Sequence, residues 1–261
     1  MSLEYIYNSI IYPWIILGII TFFMLFFITA PYGRHNKKMG PMISGKWGWI
    51  IQETISPLTF GYFFLMGDSL KTPSMWIFFI LWIGHYFNRS IIYPMRQKKA
   101  KDTALIVVFS AILFNIINGF INGYYLGSQD LIQNQYTNYL NSYNFIIGIA
   151  IFIVGVIINV KSDEILFSLR KNNDGYKIPS SFMYKYISCP NYCGEIIEWV
   201  GFFIMTLSIP ALIFVFWTMC NLIPRAISNH NKLQRIKVIV RDLIKSRLKE
   251  GVLFAQSDQP D

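Results

Sequence analysis

Trp199-Val-Gly-Phe-Phe-Ile-Met-Thr-Leu-Ser-Ile-Pro-Ala-Leu-Ile-Phe-Val-Phe-Trp217 is the stretch on which the reading of the fold turns. It lies inside an apolar run from Cys189 to Ser228. That run holds either one helix kinked at Pro210 or two membrane spans of ~20 residues each. Five other apolar stretches, near residues 10–30, 47–66, 73–93, 103–126 and 144–160, each suit one helix. Charge decides the parity. Residues 33–46 carry Arg34, Lys37, Lys38 and Lys46; residues 94–102 carry Arg96, Lys98, Lys99 and Lys101; residues 161–190 carry Lys161, Arg170, Lys171, Lys177 and Lys185. Residues 127–143 carry Asp130 and no Lys or Arg. Basic loops stay on the cytoplasmic side of a membrane, which puts the N-terminus on the lumenal side. The segment after Leu222 is also basic, from Arg225 to Lys249, and belongs in the cytosol. Opposite termini require an odd number of spans, so the run splits at Ser208–Pro210 and seven helices are expected.

Composition sets the class. The chain has 261 residues, 54% hydrophobic and 14% charged, with a mean hydropathy of +0.40. That is an integral membrane protein rather than a soluble globule. The formal charge of +9 then reads as cytoplasmic loop charge and not as a nucleic-acid footprint. Cys189, Cys193 and Cys220 make an odd count without zinc-ligand spacing, so no metal is expected. The first apolar run has no basic region before it and no small-residue cleavage site, and is read as the first span. No repeat, low-complexity tract or soluble domain interrupts residues 1–261, which are read as one membrane domain. Gln256 to Asp261 read as a frayed end.

Polar residues within the apolar segments are the functional candidates, because an ionisable group in a membrane helix is costly and is a site hypothesis by default. Gln52 and Glu53 stand side by side near the start of the second segment. Tyr86 and Arg89, three apart and so on one helix face, close the third from the same side. Asn115, Asn118 and Asn122 form one stripe on the fourth, suited equally to helix–helix hydrogen bonds and to a ligand wall. Asn159 and Asp163 end the fifth; Asn191, Glu195 and Glu198 open the sixth, where carboxylates also suit the helix dipole. Nearly all these groups fall in the cytosolic half, which describes a polar pocket open to the cytosol and roofed by apolar helices. Neither a Gly-rich nucleotide loop nor a Walker sequence occurs, and no G-x-S-x-G accompanies the three histidines.

Ordered along the chain, Ala30-Pro-Tyr-Gly-Arg-His35, Gln52-Glu53, His85-Tyr-Phe-Asn-Arg89, Gly123-Tyr-Tyr-Leu126, Asn159-Val-Lys-Ser-Asp163, Leu169-Arg-Lys171, Tyr176-Lys-Ile-Pro179, Tyr186-Ile-Ser-Cys-Pro-Asn-Tyr192, Gly194-Glu-Ile-Ile-Glu-Trp199 and Pro224-Arg-Ala226 resemble the signatures of steroid 5-alpha-reductases. No one motif is specific; the ordered set, from about residue 30 to 226, is. The resemblance implies an all-α, seven-transmembrane-helix bundle enclosing a cofactor and substrate cavity open to the cytosol. Residues 1–126 would supply the substrate side and residues 144–250 the cofactor side with the basic tail. It implies NADPH-dependent reduction of the 4,5 double bond of a 3-oxo-4-ene steroid in the endoplasmic reticulum membrane, by a monomer. Glu53 and Tyr86 would hold the 3-keto oxygen, with Gln52 in support. Donors aimed at that oxygen stabilise the charge that develops on hydride attack, and Glu53 donates only as the neutral acid.

The same resemblance implies a cofactor site at Arg89, Lys101, Asn159, Asp163, Arg170, Tyr176, Lys177, Asn191 and Glu195. Trp49, Asn115 and Asn118 are candidates for the substrate wall. The sequence departs from the family pattern at Ser110, where animal enzymes often carry arginine. It departs also at Ser180-Ser181 in place of a glycine step, and at Asn229 and Leu233, where histidine and tyrosine are usual. Two readings compete with a steroid substrate. One keeps the fold and reduces another lipid, a polyprenol or an enoyl thioester; the other is a non-catalytic, lipid-binding heptahelical protein.

Overall fold

The computed structural model describes residues 2–27, 40–97, 100–171 and 178–257, without the side chains of 170, 171, 237 and 239–257. Ala30–His35, Lys98, Lys99, Tyr176 and Lys177 therefore lie outside the described residues, as does the side chain of Arg170.

Long helices dominate: α1 (Leu3–Phe27), α2 (Gly45–Met66), α3 (Pro73–Phe87), the short α4 (Tyr93–Arg96), α5 (Leu105–Gly127), the single turn α6 (Gln129–Ile132), α7 (Tyr143–Lys171), α8 (Pro190–Thr206) and α9 (Ile209–Ser257). Proline opens α3 at Pro73 and α8 at Pro190, where its missing N–H has no helical partner to lose. Among the described residues four helices are long and apolar enough to cross a membrane: α1, α5, Tyr143–Leu169 of α7 and Ile209–Ile236 of α9. α3 and α8 are shorter, at 15 and 17 residues, and α2 is less apolar. The many exposed Ile, Leu and Phe side chains, Phe23, Ile80, Phe109 and Ile153 among them, suit a lipid-facing surface.

The run from Cys189 to Ser228 does break. α8 ends at Thr206, Leu207 adopts a left-handed conformation (φ 47, ψ 30), and α9 starts at Ile209. The Ser208 hydroxyl accepts the Ala211 N–H at 3.2 Å and caps the new helix. The basic segment after Leu222 is not a separate tail but the continuation of α9, through Pro224 to Ser257; of the expected frayed end, Gln256 and Ser257 are helical and residues 258–261 lie outside the described residues.

One pairing was absent from the all-helical expectation. Met42–Ile43 (β1) and Thr103–Ala104 (β2) form a two-residue antiparallel ladder, Met42 opposite Ala104. Leu105 N donates to Pro41 O at 2.9 Å beside it. The ladder ties the entry of α2 to the entry of α5 at one end of the bundle.

Two helix pairs pack closely enough to require glycine. Along α5, Gly119, Gly123 and Gly127 run every fourth residue against the α2 backbone; a Cβ at Gly123 would lie 2.9 Å from Phe60 Cα. Along α7, Gly148 and Gly155 meet Gly201 and Gly194 of α8. Small residues let membrane helices approach backbone to backbone. The aromatic core between the pairs centres on Trp82, stacked on Phe60 at 4.6 Å and flanked by Trp199 at 5.0 Å and Phe214 at 4.9 Å.

Candidate active site

Each polar residue reaches the centre through a local feature of its helix. Pro57 lies four residues after Glu53 within α2, so the Glu53 carbonyl has no helical N–H to accept from. One residue earlier, the Gln52 carbonyl takes a second donor, Asn115 Nδ2 of α5, at 2.7 Å. The α2 backbone is thus loosened at the Glu53 carbonyl and held at the Gln52 carbonyl. Gln52 Nε2 donates to Glu53 Oε1 at 3.1 Å, which fixes the carboxyl and leaves its second oxygen unengaged by that amide.

On α3 the decisive feature is a π-helical turn, Asn88–Ile92. Tyr93 N–H bonds back to Asn88 O, five residues earlier. The next residue, Pro94, has no N–H to give to Arg89 O, and the Trp49 indole supplies it instead, at 2.9 Å. Single π turns recur at functional sites because they re-aim a side chain. Here the turn lays the Arg89 guanidinium over the rings of Trp49 (5.1 Å) and Tyr93 (4.9 Å). It also points that group at α7 and α8, with Arg89 Nη1 3.9 Å from Asp163 Oδ2 and Nη2 3.4 Å from Glu195 Oε2.

The α7–α8 seam completes the cluster. Asn191 Nδ2 donates to Asp163 Oδ1 at 3.0 Å, and Asn159 Nδ2 to the Asn191 carbonyl at 2.9 Å. The glycine contact explains the register: a Cβ at Gly194 would lie 2.5 Å from the Asn159 backbone nitrogen, so the two helix ends share one level. Glu195 Oε2 is buried and meets no hydrogen-bond geometry with any described residue, its contact with Arg89 being purely ionic.

Tyr86 lies on the inner side of this cluster, 4% exposed. Its ring packs on Trp82 at 5.6 Å and Trp199 at 6.1 Å. The Trp49 bond to Arg89 O on one side and the Phe60–Trp82 stack on the other set α2 against α3 at this depth. Glu53 of α2 and Tyr86 of α3 therefore stand at one level of the seam, between the Phe60–Trp82 stack and the Trp49–Arg89 contact. Such a pair can bind one carbonyl oxygen.

Comparison with known proteins agrees with the ordered motifs. The profile of the 3-oxo-5-alpha-steroid 4-dehydrogenase family matches residues 101–237. The steroid 5-alpha-reductase DET2 of Gossypium hirsutum is 36% identical over 220 residues, covering 81% of this chain and 83% of that protein. The DET2 protein of Solanum lycopersicum is 33% identical over 236 residues, covering 87% of this chain and 89% of its own. The chain is also 30% identical to 3-oxo-5-alpha-steroid 4-dehydrogenase 1 of Rattus norvegicus, over 78% of this chain and 79% of that one. This chain belongs to the 3-oxo-5-alpha-steroid 4-dehydrogenase family. Its membership makes it one of a group of membrane oxidoreductases.

Not every residue that membership suggests gathers at the centre. Gln52, Glu53, Tyr86, Arg89, Asn159, Asp163, Asn191 and Glu195 do, and Trp49 and Asn115 border them through Arg89 and Gln52. Asn118 instead joins helices, its Oδ1 accepting from Trp14 Nε1 at 3.3 Å and its Nδ2 donating to Phe114 O. Asn122 does the same, reaching Pro210 O at 3.4 Å. The Lys101 side chain is exposed, while its carbonyl faces Gly45. Ser110, in place of the animal arginine, is exposed and donates to Ile106 O. Asn229 contacts Cys189 Sγ at 3.7 Å through Nδ2, and its buried Oδ1 has no hydrogen-bond partner among the described residues. No group of three potential metal ligands occurs among the described residues.

One pair was missed. His85 Nδ1 and Glu198 Oε1 meet at 2.7 Å, both nearly buried. His85 stands beside Tyr86 and Glu198 three residues after Glu195, so spacing alone contained the signal. Its meaning depended on α3 and α8 facing each other.

Proposed function

We propose that this chain reduces the 4,5 double bond of a 3-oxo-4-ene steroid with NADPH, giving the 5-alpha-3-oxosteroid. What carries the reading is the placement of the Gln52-held Glu53 carboxyl and the buried Tyr86 phenol at one level of the α2–α3 seam, beside an aromatic wall. In this reading the 3-keto oxygen accepts hydrogen bonds from Glu53, as the neutral acid, and from Tyr86. Gln52 donates to one carboxyl oxygen and so orients the other toward the ketone. Both donors act where negative charge grows during the reaction, and preorganised donors of this kind are worth several kcal/mol each, about 10²–10³ in rate. Trp82 and Trp199 hold the phenol and keep water out. The sterol body would lie among Trp49, Trp199, Phe214 and their neighbours, with Asn115 holding the α2 backbone.

The residues present fit a dihydronicotinamide cofactor. Glu195 Oε2 is a buried acceptor with unfilled capacity, and with Asn191, Asn159 and Asp163 it offers what a carboxamide needs. By their chemistry Arg89, Lys101, Arg170, Tyr176 and Lys177 suit phosphate and ribose. Bound there, the cofactor supplies the hydride for C5. We assign Arg89, Lys101, Asn159, Asp163, Arg170, Tyr176, Lys177, Asn191 and Glu195 to its binding. The remainder of the reading is seven spans in one domain, an endoplasmic reticulum membrane, a lumenal N-terminus, a cytosolic basic end of α9, and a cavity open to the cytosol. It rests on loop charge and family membership.

Membranes containing the full chain, given NADPH and a 3-oxo-4-ene steroid, should consume cofactor and release the 5-alpha product. NADPH consumption with a polyprenol or an enoyl thioester and none with any enone steroid would reassign the substrate. No cofactor binding at all would return the chain to a lipid-binding role. Asp163→Ala and Asn191→Ala should each weaken NADPH binding by about 10–100-fold, the loss of one charge-assisted hydrogen bond worth ~1.5–3 kcal/mol. Fluorescence titration of NADPH checks this, and steroid affinity should change far less.

A further inference from the structure

We infer that the His85–Glu198 pair is the positioning device for the Tyr86 phenol, a role that rests on the enone-reductase reading above. The imidazole Nδ1 and the carboxylate Oε1 lie 2.7 Å apart, with side chains 7% and 2% exposed. Two ionisable groups buried this far cost free energy that a pair of apolar side chains of the same volume would not. Neither group belongs to the proposed ketone-binding or cofactor-binding set.

Their placement shows what the pair does. α3 offers His85 and, one turn on, Arg89; α8 offers Glu198 and, one turn back, Glu195. His85 meets Glu198 and Arg89 meets Glu195, so two rungs cross the same seam, and Tyr86 sits between them. The inner rung is also a clamp of neighbours. Trp199, next to Glu198, lies edge-on to the His85 ring at 4.6 Å and tilted against Tyr86 at 6.1 Å. His85 itself lies edge-on to Tyr86 at 5.1 Å. The dipeptide Glu198-Trp199 therefore grips the dipeptide His85-Tyr86. Apolar packing alone would tolerate a small rotation of α3 about its axis. A directional hydrogen bond at 2.7 Å does not, and the phenolic oxygen, far from that axis, amplifies any rotation. A misplacement of ~1 Å at a reacting geometry costs about 10²-fold in rate.

The test uses the full-length protein with two readouts: steady-state turnover of a 3-oxo-4-ene steroid with NADPH, and the fluorine NMR resonance of 3-fluorotyrosine incorporated at Tyr86. His85→Phe keeps a ring and removes the bond. It should lower kcat about 10²-fold while the steroid KM and the NADPH Kd stay within roughly threefold, and it should shift or broaden the Tyr86 resonance. His85→Asn places an amide N–H where Nδ1 stands and should restore most of the rate and the native resonance. Glu198→Leu removes the acceptor at similar volume and should behave like His85→Phe, which preserves the test if His85→Phe fails to fold, while Glu198→Gln keeps an acceptor and should behave like His85→Asn. Unchanged turnover with an unchanged resonance in His85→Phe would overturn the role. So would a kcat loss matched by an equal loss of NADPH affinity with the resonance unmoved, since the pair would then serve the cofactor end. A wild-type protein that turns over no enone steroid, yet whose Tyr86 resonance depends on His85, would sink the substrate reading and leave the positioning role standing.

Discussion

Tyr86→Phe is expected to lower kcat for 3-oxo-4-ene reduction by about 10²–10³-fold, the usual effect of removing one donor from an oxyanion-type site. NADPH affinity should stay within roughly twofold, because the variant deletes one oxygen and keeps the ring that packs on Trp82 and Trp199. Glu53→Gln should fall in the same range. It keeps the volume but replaces an acidic O–H with a weaker amide donor. The double variant should lose far less than the product of the two, since both donors serve one oxygen and groups that act as a unit are not additive. Single-turnover kinetics with NADPH prebound, in membranes or detergent, separate these effects from binding. A Tyr86→Phe protein that keeps its rate and loses cofactor affinity would remove the phenol from the ketone site.

Gly155→Leu is expected to abolish the folded protein. A Cβ there would lie 2.6 Å from Glu198 Cα and 2.7 Å from Gly194 O, so α7 and α8 must separate. Overpacking in a core that can relax costs ~1–3 kcal/mol; here the obstacle is backbone, which no rotamer change removes, so the loss should exceed that range. The expected readout is loss of the monodisperse peak after detergent extraction. Gly155→Ala should show a lowered melting temperature with weakened NADPH binding, because the contact sets the level of Asn159 against Asn191. Gly84→Ala is the matched control. Nothing lies within 4 Å of a Cβ at that position, so the protein should fold normally.

What the sequence makes legible is what depends on local physics. Hydropathy and loop charge are properties of contiguous residues, so the membrane class and the break near Pro210 could be read directly. The break itself is a left-handed Leu207 followed by a serine cap, both within a few residues of the proline. The Gln52-Glu53 and Tyr86–Arg89 candidates stood out for the same reason, as polar groups in apolar segments. What escaped was whatever depended on helix rotation. Asn115 and Asn118 lie on one stripe, yet the first binds the α2 backbone and the second the Trp14 indole. The π turn at Asn88–Ile92 was invisible because it registers as a change in hydrogen-bond partner, not in composition.

By itself the sequence determined that the chain is a membrane protein of apolar helices, where its last long run divides, and which polar groups such helices carry. A helix in lipid satisfies its own backbone, so those properties need no neighbour. Only the tertiary structure decided which of the polar groups meet. That outcome rests on close approaches at Gly155, Gly194 and Gly123, on a π turn that aims Arg89 at Asp163 and Glu195, and on α3 facing α8 so that His85 finds Glu198. Helices in a membrane differ little in their attraction for one another until side chains interlock. Rotation and depth are therefore set by packing, which no single segment encodes.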